Sequence, residues 1–236
     1  MHDHRSHPQK PHPHRQTWGG ECVWLLIVLG LMMLAHPFLE STSSGRLALN
    51  VLHSSILILS VYSISGSRRQ LIVALILATP ALAGQWFVLF KMAMWLQPFF
   101  LLAALSFYGF IAVNLLRHVL DSGPVNADKI CGAICAYLLI ALAFGLIYVA
   151  VETLYPGSFF IVHPHDDAHG FDVFDALYFS ITTLTTTGFG DIHPLSAHAR
   201  AVANVEQLVG TFYVAILVAR LASLYTPRRR DAGLGH

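Results

Sequence analysis

Between Ile130 and Ala199 the chain carries Glu152, Asp166, Asp167, Asp172, Asp175 and Asp191 but no Lys or Arg. Six acids without a base make a field that concentrates cations. Inside this stretch Val173 to Thr185 reads VFDALYFSITTLT, an apolar, helix-like run of 13 residues that ends in threonines. A helix there aims the negative end of its dipole at the residues that follow and again favours a cation. Those residues are Thr185, Thr186, Thr187, Gly188, Phe189, Gly190 and Asp191. Other chemistry-bearing residues are less directed. His163, His165, Asp166, Asp167 and His169 are spaced either as a solvated loop or as a divalent-cation site, and His193 and His198 lie close by. Imidazoles titrate near pH ~6.5, so protonation of this group is expected to tune whatever passes the acids. No HExxH, G-x-S-x-G or P-loop pattern accompanies them, which argues against an enzyme. Three cysteines give no disulfide framework. Cys131 and Cys135, among Gly132, Ala133 and Ala136, suit close helix packing rather than a metal.

The elements that must position these residues follow from composition. Of 236 residues, 55% are apolar and 11% charged, against roughly 25% charged in an ordinary soluble domain. The net charge is +1 with no basic stripe, which excludes a nucleic-acid partner. Cys22 to Leu39, Leu47 to Ser67, Gln70 to Phe90, Met92 to Leu116 and Ile130 to Val151 contain no Asp, Glu, Lys or Arg. Each has about the 20 residues a bilayer requires. A sixth span, Ala197 to Tyr225, is charged near its ends but not from Gln207 to Ala219. The fold class is therefore all-α, with six transmembrane helices. The first could pass for a signal peptide, but no small-residue cleavage site follows Leu34. The connection from Glu152 to Ala197 is too long for a simple helix–helix link. Its 13-residue helix is too short to span, so a re-entrant half-helix between spans five and six is expected.

Positive charge sets orientation, because Lys- and Arg-rich loops remain in the cytoplasm. With both termini inside, eleven bases lie inside, and Arg46, Lys91 and Arg200 lie outside. The acidic connection is then external. His2, His4, His7, His12 and His14 make a solvated, disordered leader. The domain boundaries expected are 1–20 for this tail, 21–124 for a four-helix membrane domain, 125–227 for a pore domain and 228–236 for a short tail.

The run Thr185 to Asp191 resembles the pore of potassium channels, whose filters read T-T-V-G-Y-G-D or close variants; Thr185, Thr186, Gly188, Gly190 and Asp191 carry the match. The resemblance implies that the carbonyls of Thr186, Thr187, Gly188 and Phe189 replace the hydration shell of K+, with Gly190 completing the strand and the Thr186 hydroxyl forming the innermost ring. Glycine reaches the required backbone angles without a Cβ clash. It further implies that Asp191 stands at the outer mouth, braced by an aromatic side chain of the half-helix, Tyr178 or Phe179. Glu152 matches an acid that ties the outer helix to backbone near the filter. Gly210, 22 residues after Gly188, matches a gating hinge, although close helix contact explains a glycine there equally well. Phe189 replaces the commoner Tyr, and Thr187 replaces Val or Ile, adding a hydroxyl that needs a partner.

One filter strand per chain implies a homotetramer in membrane lipid, with K+ as permeant ion and no cofactor. The fourth span, Met92 to Leu116, has no arginine, so steep voltage dependence is not expected. The closest likeness is to small prokaryotic six-span channels without a voltage sensor, which implies a bacterial plasma membrane. The alternatives are a nonselective cation channel of the same architecture and a non-conducting multispan sensor or scaffold. Glu206 receives no role from the sequence.

Overall fold

The structure, a computed structural model, describes residues 21–39, 42–63, 68–90, 96–121, 127–162 and 170–224. The two expected tails and the cluster His163, His165, Asp166, Asp167 and His169 lie outside the described residues.

The elements run in the order α1 (Glu21–Leu39), α2 (Ser43–Tyr62), α3 (Arg68–Leu89), α4 (Gln97–Leu120), α5 (Ala127–Leu154), β1 (Phe159–Ile161), α6 (Val173–Leu184), β2 (Ile192–Pro194) and α7 (Ala197–Leu224). All helices but α6 are long and apolar enough to cross a bilayer, six in all among the described residues. Their outward faces carry exposed large apolar side chains, among them Trp24, Leu34, Ile58, Ile76 and Leu102. Helices apolar on all sides suit lipid surroundings, not water.

Several boundaries differ from those drawn at the first charged residue. The fourth helix continues past Leu116 to Leu120 and carries Arg117 and His118 in its last turn, where cations complement the negative helix end. It starts at Gln97 instead of Met92, with Pro98 in its first turn. Proline is pre-organised for a helix start, where its missing N–H costs no hydrogen bond. The fifth begins at Ala127 with Asp128 in its first turn, the favourable place for an acid.

The helix neighbours define a simple plan. In the first four helices, α1 packs on α2, α2 on α3 and α3 on α4, and this set meets the rest of the chain through α1 and α4 on α5. Helix α5 also packs on α6 and α7, and α6 packs on α7. The main core, with Leu25, Leu29, Ile56, Phe107, Ile111, Leu115 and Leu139, joins the first helices to α5. A second core, with Tyr148, Phe159, Ala176, Phe179, Ile192 and Ala203, lies under the acidic connection. Helix α1 reaches α6 as well, where the His36 ring stacks on Phe174 with centroids 4.5 Å apart.

Candidate functional site

The short helix expected over Val173 to Thr185 is present as α6, Val173–Leu184, with Thr185 as its C-cap. Its start is specified by two acids. The Asp172 carboxylate accepts from the Asp175 amide at 2.8 Å. In return Asp175 accepts from the Asp172 amide at 3.3 Å. This reciprocal capping box satisfies two otherwise unpaired donors at the helix start. Partial burial and the neighbouring Asp172 charge raise the Asp175 carboxyl above its ordinary range.

At the other end the chain turns back on α6. The Thr186 amide donates to the Thr183 carbonyl at 3.0 Å, and the Thr187 and Gly188 amides donate to the Thr182 carbonyl at 2.9 and 3.1 Å. Carbonyls left open at the helix end are thereby satisfied. A trans peptide points its C=O opposite to its N–H, so the carbonyls of Thr185, Thr186 and Thr187 face away from α6.

Backbone handedness alternates along the same run. Positive φ occurs at Thr186 (57°), Gly188 (54°) and Gly190 (78°), while Thr187 and Phe189 between them have none. Glycine takes this region without a Cβ clash. Thr186 was not foreseen, because a Cβ makes the left-handed region costly by roughly 1–2 kcal/mol. Such a conformation persists only where its surroundings impose it. The extra hydroxyl of Thr187 finds its partner in Thr185, with the two oxygens 2.9 Å apart.

Of the two aromatic residues considered as braces for Asp191, Tyr178 makes the contact: its hydroxyl donates to the Asp191 carboxylate at 2.5 Å. That bond pushes the Tyr178 phenol up to about 12. The Tyr178 ring also lies parallel to Phe189, with centroids 6.4 Å apart. Phe179 is buried instead, edge-on to Tyr148 at 4.9 Å and to Phe159 at 5.5 Å.

Glu152 bonds the backbone of the turn that follows its own helix. Its carboxylate accepts from the Gly157 and Ser158 amides at 2.8 and 2.9 Å, within the turn that follows α5. The Ser158 carbonyl accepts from Leu195 at 2.7 Å. Antiparallel pairing of β1 with β2 then sets Phe159 opposite Pro194 and Ile161 opposite Ile192. Just beyond the ladder the Val162 amide donates to the Asp191 carbonyl at 2.9 Å. Glu152 thus reaches Asp191 through a strand pair.

Gly210 has a packing reason. A Cβ there would stand 2.0 Å from the Leu184 carbonyl oxygen, the last residue of α6. The same carbonyl accepts from the Tyr137 hydroxyl of α5 at 2.9 Å. Residues without an assigned role also converge here. Glu206 is fully buried and accepts from Tyr148 of α5. Its other carboxyl oxygen bonds Ser180 of α6. Cys135 donates to the Cys22 carbonyl at 3.4 Å, joining α5 to α1.

Comparison with known proteins places the likeness on the same half of the chain. A protein family described as "Ion channel" matches residues 133–226. "Two-pore potassium channel 1" of Arabidopsis thaliana is 34% identical over 92 residues, 39% of this chain and 24% of its own length. An "Uncharacterized protein" of Methanothermus fervidus is 34% identical over 68 residues, 29% of this chain and 10% of its own length. The chain thus covers a quarter or less of these relatives. No solved structure gives a significant match. The family match gives residues 133–226 a likeness to ion channels, and the six apolar helices among the described residues are those of a multi-pass membrane protein.

Proposed function

We propose that the chain is the subunit of a potassium-selective channel, four copies of which surround one pore and conduct K+ passively. The observation that carries this reading is the alternating handedness from Thr186 to Gly190. In an extended strand successive carbonyls point to opposite sides. Reversing the sign of φ at every second residue turns them to one side, and the amide bonds back to Thr182 and Thr183 fix which side that is. A row of carbonyl oxygens on one face is what dehydrating a cation requires.

On this reading α6 is a re-entrant pore helix and Thr186, Thr187, Gly188, Phe189 and Gly190 line the filter, with the Thr186 hydroxyl as its innermost ring. Asp191, held by Tyr178, stands at the outer mouth. The domain from 125 to 227 is the pore, and residues 21–124 form a membrane domain without the arginines of a voltage sensor; Arg117 and His118, in the last turn of α4, are the bases that helix contributes. The excess of bases on one side supports cytoplasmic termini, and the resemblance to prokaryotic channels supports the plasma membrane of a bacterium. Gly210 is reserved for packing α7 against the filter's base, with hinge motion as a second use.

A second reading, a nonselective cation channel, is favoured by one observation. Phe189 stacks on Tyr178 without a hydroxyl of its own to anchor it. Flux from liposomes separates the two. Purified protein should pass K+ in preference to Na+ and be blocked by Ba2+. Equal K+ and Na+ flux would move the assignment to the nonselective channel, and no flux to a non-conducting scaffold.

A further inference from the structure

Glu206 is a carboxylic acid in the middle of a spanning helix, and it is fully buried. Intramembrane acids are retained only with partners or a task. Among the described residues of the helices packed around it no cation pairs with it. Helix α6 contains no Lys, Arg or His. On α5 the base is Lys129, nineteen residues before Tyr148, with its Nζ on the Asp121 carbonyl at 2.9 Å. On α7 the nearer base is Arg200, whose Nε donates to the Pro194 carbonyl at 3.0 Å. His198, in the first turn of α7, stacks on Tyr155 with centroids 4.0 Å apart. The phenols of Tyr148 and Tyr137 also lie near Glu206, and the Tyr137 hydroxyl donates to the Leu184 carbonyl.

The hydrogen bonds themselves count the protons. Tyr148 bonds one carboxyl oxygen of Glu206 and Ser180 bonds the other. The Ser180 hydroxyl also lies 2.8 Å from the Ala141 carbonyl. A carbonyl accepts only, and a serine hydroxyl has one proton to give. If Ser180 donates to Ala141, its contact with Glu206 is a hydrogen bond only when Glu206 is the donor. The chain then closes with three protons for three bonds: Tyr148 to Glu206, Glu206 to Ser180, Ser180 to Ala141. With Glu206 ionised, either of the two Ser180 contacts is left without a proton, and a buried negative charge faces two hydroxyls and no base. Burying such a charge is costly.

We infer that Glu206 carries a proton and serves as a positioning residue, a neutral three-helix clasp that holds α7 and α5 against α6 and so sets the height of the loop that follows α6. The inference rests on the channel reading for its effect on flux but not for its protonation state. Two contacts in register support it. Ser180 and Leu184 are one turn apart on α6, and their partners Glu206 and Gly210 are one turn apart on α7. Two helices running side by side in the same direction produce this pairing. The clasp lies one turn above the point where Gly210 meets Leu184, and Thr185 begins the loop.

Glutamine is isosteric with the neutral acid and keeps both its donor and its acceptor, whereas alanine keeps neither. Glu206→Gln should therefore hold K+ flux and the K+ to Na+ ratio within about twofold of the parent. Glu206→Ala should lower the ratio at least about tenfold in protein that still elutes as the parent assembly. Ser180→Ala, which removes the middle of the chain, should fall between. Infrared spectroscopy of the full-length protein gives a readout independent of conduction. The parent should show a protonated-carboxyl carbonyl band that shifts in D2O and is missing from Glu206→Gln. Absence of that band overturns the inference whether or not the protein conducts, as does a Glu206→Gln variant as impaired as Glu206→Ala. A folded Glu206→Ala assembly with parental selectivity overturns the positioning role. A parent protein that carries the band but passes no ions would instead overturn the channel reading.

Discussion

The two halves of the chain differ in how many of their polar side chains reach another helix. In α2, α3 and α4 the hydroxyls and amides turn back on their own helix: Ser54 to Asn50, Ser55 to Val51, Thr79 to Leu75, Ser106 to Leu102 and Asn114 to Phe110. Between these helices Gln70 donates to Asn114 at 3.1 Å. In α5, α6 and α7 the hydroxyls of Thr153, Thr182 and Thr211 turn back likewise, but four further bonds cross from helix to helix: Tyr137 to Leu184, Ser180 to Ala141, Tyr148 to Glu206 and Tyr213 to Ala133. Apolar contact alone lets one helix slide on another at small cost, because lipid is as apolar as the side chains it replaces. Directional bonds and close approaches fix height and rotation. The half that resembles ion channels is the half built to hold a loop in place, and the first half is built to fit in lipid.

Substitutions test that contrast. The largest effect is expected from Gly210→Ala, whose Cβ would overlap the Leu184 carbonyl at 2.0 Å. Overpacking of this kind costs about 1–3 kcal/mol. It should lower the melting temperature in detergent and abolish flux. Gly190→Ala has room around its Cβ but must adopt φ 78°. The strain of about 1–2 kcal/mol is local, so flux should be lost in an assembly of near-parental thermal stability. Tyr178→Phe removes the donor to Asp191 and should reduce K+ to Na+ selectivity several-fold, read as a change in flux ratio, without affecting folding. Glu152→Gln replaces an acceptor for two amides, and a hydrogen bond contributes about 1 kcal/mol net. A modest fall in thermal stability with selectivity kept within about twofold is expected. The smallest effect belongs to the first half. Gln70→Leu should change stability by less than about 1 kcal/mol and leave flux at the parental level. A large loss there would erase the distinction between the halves.

Much of the framework was legible from local patterns. Six apolar runs gave six long helices, and α6 ended one residue from the expected position because Asp172 caps one end and a threonine run closes the other. Charged ends were less legible. Arg117 and Asp128 lie inside helices because each complements the helix end it occupies, whereas a count of charge-free residues stops short of them. The brace of Asp191 was narrowed to two residues by resemblance, and geometry chose Tyr178 over Phe179. The resemblance has Glu152 tie to backbone near the loop; the backbone it bonds is the turn after α5, which a strand pair connects to Asp191. Glu206 was opaque for a different reason. Its partners lie 58 and 26 residues away along the chain, and nothing in the local sequence announces which hydroxyls a helix will meet. The left-handed Thr186 was equally hidden, since a backbone conformation imposed by neighbouring carbonyls leaves no mark on residue type.

The central claim is that the backbone from Thr186 to Gly190 forms a potassium path, and the most direct test is the reversal potential of current through purified protein in a planar bilayer with K+ on one side and Na+ on the other. The account predicts reversal close to the K+ equilibrium potential, and loss of the current in Gly190→Ala. Reversal near zero, or an unchanged current in that variant, would contradict it.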